Sequence, residues 1–105
     1  MDRFQEMTVF EAVADELSLA AAARRLYLSP PTVTRAIDAL EQRLGIKLLQ
    51  RSTRGVGLTE AGERFLADCR RILAEVADAD RSASGLHTSP QGRLQVSMPL
   101  LFGQS

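Results

Sequence analysis

Aromatic side chains and cysteine are both scarce in this chain of 105 residues. Aromatic residues make up 5% of it and tryptophan is absent, which argues against a surface that binds single-stranded nucleic acid by base stacking. The one cysteine, Cys69, has no partner for an internal disulfide, so nothing favours an oxidising compartment. An apolar run of about 18 residues and a signal-peptide pattern are also missing. We therefore expect a cytoplasmic protein without a membrane partner.

The sequence contains no recognisable catalytic motif or metal-binding motif. The sequence offers no Ser–His–acid set, no paired carboxylates suited to acid–base work and no glycine loop of the kind that holds phosphate. His87, the one histidine, has no second ligand nearby, so it does not predict a metal site. We expect neither an enzyme nor a bound cofactor.

The basic side chains are concentrated in the middle of the chain, although the formal net charge is zero. Residues 24–54 carry seven basic side chains and only two acidic ones, Asp38 and Glu41, for a net charge of +5. The rest of the chain has six basic and eleven acidic side chains. A phosphate backbone attracts such a basic lobe wherever the compensating charge lies, so double-stranded DNA is the expected partner.

Apolar periodicity and capping residues predict three helices before residue 45. The first covers residues 3–17, Ser18 caps a second that runs through Ala20–Leu26, and Ser29 caps a third at about residues 30–44, which Gly45 ends. The apolar stripe of the first helix comprises Phe4, Met7, Phe10, Val13, Ala14 and Leu17, and its polar face carries Glu6, Glu11 and Asp15.

The second and third helices fit a helix-turn-helix at about residues 19–38. Only Tyr27 and Leu28 join them, and Ala23 lies ten residues before Val33, so a small side chain can lie under the helix crossing. The apolar face of the third helix comprises Val33, Ile37, Leu40 and Leu44. If this face is buried, helical geometry directs four residues outward or sideways, namely Pro31, Thr32, Thr34 and Arg35. In this motif that end of the helix enters the major groove.

The outward residues have side chains suited to DNA. Arg35 can bind the O6/N7 edge of guanine through two hydrogen bonds, and Thr32 or Thr34 can offer a hydroxyl to phosphate or a methyl to thymine. Exposed amides at the start of the helix are expected to favour a phosphate as well.

A hairpin is predicted after the third helix, at about residues 46–58. Ile46–Arg51 and Val56–Leu58 are extended-type segments on either side of the turn-like sequence 52–55. Arg51 and Arg54 on this wing would reach the DNA backbone or the adjacent minor groove. The fold class is therefore mainly α: residues 1–59 form a winged helix-turn-helix of three helices and a two-stranded β wing.

A long helix is predicted to follow, capped by Thr59 and covering residues 59–86. Its apolar residues recur at alternating steps of four and three, and they are Phe65, Cys69, Ile72, Val76, Ala79, Ala83 and Leu86. A period of 3.5 residues is typical of a helix that packs along a partner helix. Because a domain of this size has nothing that long to cover, we expect dimerisation with a second copy. Cys69 is expected in this seam as a small buried apolar residue rather than a redox sensor.

The last residues indicate a hinge and the start of another domain. Residues 84–92 are linker-like, and Leu94, Val96 and Met98 alternate as in a strand. Because one strand is not stable alone, we expect residues 88–105 to be a hinge and the first strand of a further domain. The dimerisation helix at 59–87 would precede it.

Four motifs in fixed order resemble one family. AAARRL, the helix start S-x-P-x-V-T-R, LE-x-x-LG and LTEAG follow one another between residues 21 and 62. Residues 3–86 are similar to the winged helix-turn-helix and linker helix of the LysR-type transcriptional regulators. GRLQVSMPLLFG resembles the start of that family's periplasmic-binding-protein-like effector domain.

The resemblance implies a transcription regulator that binds interrupted inverted repeats in DNA as a homodimer with antiparallel linker helices. It also implies tetramers in full-length members and a small-molecule effector sensed by the further domain. The DNA contacts it implies are Pro30, Pro31, Thr32, Thr34 and Arg35 in the recognition helix, Arg54 in the wing, and Arg51 as phosphate support. Pro30 stands where most members have Gln; because proline offers only apolar contact, a shifted sequence preference is expected.

Two other functions fit parts of the sequence. One is an oligomerisation module whose basic residues serve solubility, although Arg35 beside two threonines argues against it. The other is a winged-helix regulator of another family that senses ligand in its dimer interface, which fits the LTEAG helix and the trailing strand poorly. Arg24 and Arg25 fit either a solvated helix face or phosphate contacts. The sequence leaves open whether such a regulator would repress or activate transcription.

Overall fold

The computed structural model describes residues 1–85 and contains four helices and one hairpin in that range. The elements are α1 (Arg3–Glu16), α2 (Leu19–Leu26), α3 (Pro30–Leu44), β1 (Leu49–Ser52), β2 (Gly55–Leu58) and α4 (Glu60–Ser84). The mainly α winged helix-turn-helix predicted from the sequence is confirmed. Of the linker expected at 84–92, Ser84 still belongs to α4 and residues 86–92 lie outside the described residues, as does the strand expected at Leu94, Val96 and Met98.

The first three helices begin at side-chain caps. Asp2 and Gln5 form a reciprocal capping box at α1, with the Gln5 N–H donating to Asp2 Oδ1 at 2.8 Å. Ser18 Oγ accepts from the Ala21 N–H at 3.1 Å, which confirms the predicted cap of α2. Gly45, with φ of +72°, ends α3 as predicted because glycine adopts this left-handed conformation without strain.

The core forms where α1, α2 and α3 pack pairwise against one another. Ala23 is 1% exposed and Val33 is fully buried, as the helix-turn-helix spacing predicted. The buried core consists of Val9, Phe10, Ala12, Val13, Ala22, Ala23, Val33, Ala36, Ile37, Leu40, Leu48, Leu49 and Cys69. The two-residue connection of Tyr27 and Leu28 is confirmed as well, with Tyr27 in the left-handed region at φ 59°.

Some predicted face assignments in α1 and α3 are wrong. Phe4 and Leu17 are about half exposed rather than buried, because they lie at the two ends of α1 beyond the packed part of its stripe. Glu6 is buried rather than solvated, and its Oε1 accepts a hydrogen bond from Arg43 Nη2 of α3 at 2.7 Å. In the last turn of α3, Leu44 is 39% exposed while Glu41 is buried.

The wing is an antiparallel hairpin that is shorter than predicted. Leu49 pairs with Leu58 and Ser52 with Gly55, which leaves the two-residue turn 53–54. The strand does not begin at Ile46 because the backbone before Leu49 bonds elsewhere. The Ile46 N–H donates to the Glu41 carbonyl at 3.2 Å, and the Leu48 N–H donates to the Glu41 carboxylate.

Helix α4 begins after Thr59, whose Oγ1 accepts from the Gly62 N–H at 2.9 Å, so the predicted cap is confirmed. The helix covers Glu60–Ser84 rather than 59–86. One compact unit covers Met1–Leu73, and a second begins at Ala74. None of the described helices is long and apolar enough to cross a membrane.

The first part of α4 packs onto the core of its own chain. Cys69 is fully buried there, and the ring of Phe65 lies 5.4 Å from that of Phe10 between centroids. Asp15 of α1 adds two ion pairs, to Arg70 of α4 at 2.5 Å and to Arg25 of α2 at 3.1 Å. Burial raises the pKa of Asp15, but the hydrogen bonds and charges of both arginines outweigh it, so this pKa lies below its ordinary value.

The close approach of α4 to Leu48, the residue before β1, predicts a cost for any side chain at position 62. A Cβ added to Gly62 would lie 2.1 Å from the Leu48 carbonyl oxygen, so Gly62→Ala should lower the free energy of unfolding by about 1–3 kcal/mol, the usual cost of overpacking. Urea titration measures this. The matched control is Gly57→Ala, whose Cβ meets nothing within 4 Å. Equal effects of the two substitutions would contradict the contact.

The buried position of Cys69 predicts an inert thiol. Burial, together with the negative charges of Glu11 and Asp68, raises the pKa of Cys69 to about 11. Thiolate is therefore scarce below that pH, and iodoacetamide at about pH 8 should leave the folded chain unmodified. The same reagent should alkylate Cys69 in urea, as mass spectrometry would detect. Rapid alkylation of the folded chain would contradict the burial.

Candidate nucleic-acid interface

The N-terminal half of α3 presents one polar side to solvent. Val33 and Ile37 are fully buried, which fixes the rotation of the helix. Pro30, Pro31 and Arg35 are exposed, while Thr32 and Thr34 are half-buried at the edges of the buried face. The predicted orientation is thus confirmed: Pro31 and Arg35 point outward, and the two threonines lie sideways, beside the core.

The first turn of α3 has few amides left for a ligand, contrary to the expected phosphate site there. Pro30 and Pro31 have no N–H. The Thr32 N–H donates to Ser29 Oγ at 3.3 Å, and the Val33 N–H donates to the Ser29 carbonyl at 3.2 Å. A phosphate would have to displace the serine cap, so the expectation of free amides is wrong.

Ser29 also engages the first threonine of the helix. The hydroxyls of Ser29 and Thr32 lie 2.7 Å apart and share a hydrogen bond. This bond orients the Thr32 side chain along the N-terminal turn, next to the two prolines. The exposed start of α3 therefore combines apolar proline rings with a fixed hydroxyl pair, and Arg35 lies one turn further along.

The basic side chains of residues 24–54 fall into two groups. Four of them form ion pairs within the domain: Arg25 with Asp15 and Glu16, Arg43 with Glu6, Lys47 with Glu41, and Arg51 with Asp38. Within residues 1–85, the guanidinium groups of Arg24, Arg35 and Arg54 have no such carboxylate partner. A guanidinium without an internal partner keeps its donors available for a phosphate or a base.

Arg54 lies at the tip of the wing. It is exposed, and its backbone N–H donates to Ser52 Oγ at 3.2 Å, which braces the two-residue turn. Arg54 thus lies in the turn that joins the two strands, at the end of the hairpin away from α3 and α4 along the chain. Arg54 is therefore accessible for the DNA contact predicted for it, which stays a prediction.

Arg51 is held by an acidic residue of α3. Its Nη2 donates to Asp38 Oδ1 at 3.0 Å, and both side chains remain partly exposed. The sequence shows the two charges but not their contact, because they lie 13 residues apart on different elements. Asp38 therefore orients Arg51 and also puts a negative charge between the recognition helix and the wing.

The residues predicted for dimerisation differ in their surroundings. Phe65 and Cys69 pack against the core of the same chain, and this burial needs no second copy. Ile72 is 36% exposed, Val76 is half-buried, and Ala79 and Ala83 are exposed. The dimer contact along α4 thus stays a prediction. The apolar residues after Cys69 have surface available to a partner helix.

Among residues 1–85, no cluster of histidine, cysteine or carboxylate side chains could hold a metal ion. The polar side chains of residues 30–37 in α3 and of residues 51–54 at the end of the wing are hydroxyls and guanidinium groups. Such groups donate hydrogen bonds to phosphate oxygens and base edges.

Comparison with known proteins points to one family. Residues 4–63 match the family model described as bacterial regulatory helix-turn-helix protein, lysR family. The HTH-type transcriptional activator AaeR of Escherichia coli K12 is 38% identical over the whole chain, which spans 34% of that relative. ClcR of Pseudomonas putida, an HTH-type transcriptional regulator, is 54% identical over 67% of this chain and 24% of its own length. The chain thus spans about a third or less of these curated relatives.

Solved structures of the same fold include complexes with DNA. The CbnR DNA-binding domain in complex with DNA is 47% identical, with a TM-score of 0.73 over 82% of this chain and 99% of that one. The BenM DNA-binding domain in complex with the catB site 1 DNA is 30% identical, with a TM-score of 0.78 over 87% of this chain and 100% of that one.

Proposed function

This chain belongs to the LysR family of bacterial regulatory helix-turn-helix proteins, and from that premise we propose that residues 1–59 bind double-stranded DNA sequence-specifically to regulate transcription. The observation that carries the proposal is Arg35. It is exposed and has no carboxylate partner within residues 1–85, while Val33 and Ile37 on the opposite side of α3 are fully buried. Binding rather than catalysis is the proposed activity.

The recognition helix α3 supplies the base contacts in this proposal. Arg35 binds a guanine edge in the major groove, and Thr34 contacts a phosphate or a thymine methyl. Pro30 and Pro31 give the helix start a rigid apolar surface, suited to a thymine methyl. Thr32 contributes through its hydroxyl, which is held by a hydrogen bond with the Ser29 hydroxyl.

The wing supplies contacts beside the groove that α3 occupies. Arg54 at the wing tip reaches the minor groove or its phosphates. Arg51 supports a phosphate, with Asp38 fixing its direction at 3.0 Å. Because an ion pair between partly exposed groups contributes little to stability, Arg51 can exchange Asp38 for a phosphate at small cost.

We propose a homodimer formed through α4, within a dimerisation segment at 59–87. Ile72, Val76, Ala79 and Ala83 would form the contact surface, continuing the seam begun by Phe65 and Cys69. Two copies of α3 would then read the two halves of an inverted repeat, which gives the affinity that a single half-site lacks. Tetramers and a cytoplasmic location belong to the same proposal for the full-length protein.

A further domain is proposed to follow residue 88, with residues 88–105 as its hinge and first strand. The support is that the matched relatives are about three times as long as this chain. By resemblance, that domain would sense a small-molecule effector. The competing possibility, an oligomerisation module, leaves the exposed Arg35 and Arg54 without a role.

Removing the Arg35 guanidinium tests the proposed base contact. In Arg35→Ala, binding to a duplex selected from a random pool by the unmodified chain should weaken by roughly 1–3 kcal/mol, with relaxed preference at one base pair per half-site. Fluorescence anisotropy on single-base variants of that duplex measures both. Arg71→Ala, which removes an exposed arginine paired with Asp68 on α4, is the matched control and should change neither. An equal loss on every duplex would mean a backbone contact only.

Charges in the proposed seam test the dimer. The double variant Ile72→Glu, Val76→Glu should be monomeric by sedimentation, because burying carboxylates against a second apolar seam is unfavourable. It should also lose tight binding to a two-half-site duplex. The control places the same charges on the opposite side of α4, as Ala67→Glu, Ala74→Glu, where both alanines are exposed. A seam variant that stays dimeric would refute the seam assignment.

A further inference from the structure

Glu41 connects the recognition helix to the wing. It lies in the last turns of α3 with its side chain 4% exposed. Its Oε2 accepts hydrogen bonds from the backbone N–H groups of Leu48 at 2.8 Å and Leu49 at 3.1 Å, at the entry to β1. We propose, on the basis of the DNA-binding function above, that Glu41 is a positioning residue that sets the wing, and hence Arg54, relative to α3.

The bonds of Glu41 are short and directional. A carboxylate that accepts backbone N–H groups forms charge-assisted hydrogen bonds, which are stronger than those between neutral groups. Within residues 1–85, the one cation within 4 Å of its carboxylate is Lys47, whose Nζ lies 3.5 Å from Oε1 and whose side chain is 79% exposed. Because that contact is long and solvated, the two amides are the principal partners of the buried charge. Glu41 therefore holds the backbone at Leu48 and Leu49 rather than a side chain.

The same stretch of backbone is held from its other side by the start of α4. Thr59 Oγ1 donates to the Lys47 carbonyl at 2.8 Å, and the Thr59 N–H donates to the Leu48 carbonyl at 3.0 Å. Gly62 lets α4 approach the Leu48 carbonyl more closely than any side chain would allow. Residues 47–49 are thus clamped: Glu41 of α3 holds the N–H groups of Leu48 and Leu49, and Thr59, the cap of α4, holds the carbonyls of Lys47 and Leu48.

The clamp decides where the wing points because β1 begins inside it. Leu49 is the first residue of β1 and pairs with Leu58, and the hairpin then carries Arg54 five residues beyond. The ion pair between Asp38 of α3 and Arg51 of the wing is exposed on both sides and weak. Leu48 and Leu49 also pack in the core, but this apolar contact does not fix direction as hydrogen bonds do. Without Glu41, the entry to β1 loses its buried hydrogen bonds to α3, so the contribution of Arg54 to binding should fall while that of Arg35 persists.

A double-mutant cycle separates this role from a general effect on stability. Binding of a duplex selected from a random pool by the unmodified chain is measured by anisotropy, with folding of each variant checked by circular dichroism. In the unmodified chain, Arg54→Ala should weaken binding about tenfold, in the range of one lost arginine contact. In a Glu41→Ala background the same substitution should weaken binding by less than about threefold, because Arg54 is no longer directed at the DNA.

The matched control is Glu6→Ala. Glu6 is also a buried carboxylate, and it accepts a hydrogen bond from Arg43 of α3 at 2.7 Å. Its side chain does not bond residues 47–49. In that background Arg54→Ala should still weaken binding about tenfold. Glu41→Gln keeps an oxygen for the two amides and should restore most of the Arg54 dependence. Arg35→Ala should weaken binding equally in all backgrounds.

Two results would overturn the positioning role. The first is that Arg54→Ala weakens binding by the same factor in the unmodified chain and in the Glu41→Ala background. The second is that Glu6→Ala reduces the effect of Arg54→Ala as much as Glu41→Ala does. If Glu41→Ala does not fold, the cycle is run on Glu41→Asp, which keeps the charge but is one methylene too short to reach both amides, and the same criteria apply. A failure of the unmodified chain to bind any duplex would instead refute the proposed function.

Discussion

The rotation of α3 about its own axis is the constraint on which the rest of this surface depends. Val33, Ile37 and Leu40 are fully buried against α1 and α2, and each such burial contributes on the order of 1.5–3 kcal/mol. Turning the helix would expose these residues and bury Arg35 without a partner, at a cost of several kcal/mol for the charge alone. The apolar face therefore decides which side chains α3 presents to another molecule.

Pairing of charges divides the basic lobe between structure and recognition. Arg43 and Glu6 join α3 to α1, and Arg25 and Asp15 join α2 to α1. Arg35 and Arg54 are on the surface without such partners in residues 1–85, one on the helix and the other on the wing. The two acidic residues of α3 in this region, Asp38 and Glu41, both turn toward the wing. Carboxylates of the basic lobe thus hold the wing while its unpaired arginines face outward.

Local signals explain why much of the fold could be predicted. Ser18, Ser29 and Gly45 mark helix ends through interactions with backbone only a few residues away, so their roles are readable without the fold. The predictions that Glu6 is solvated and that Leu44 is buried are wrong, because periodicity shows which residues are apolar but not where a neighbouring helix ends. The prediction of free amides at the start of α3 is also wrong, since the serine cap engages the Thr32 N–H and the two prolines have none.

A helical period and its caps are encoded within a few residues. These local signals were therefore enough to predict the helix-turn-helix spacing, the outward position of Arg35 and, to within one residue, the ends of α1, α2 and α3. Which arginines are engaged by carboxylates, and how the wing is attached, depends instead on the packing of the folded chain. Asp38 meets Arg51 across 13 residues, and Glu6 meets Arg43 across 37. Such partners are chosen by how packed elements bring distant residues together, and no local pattern carries that information.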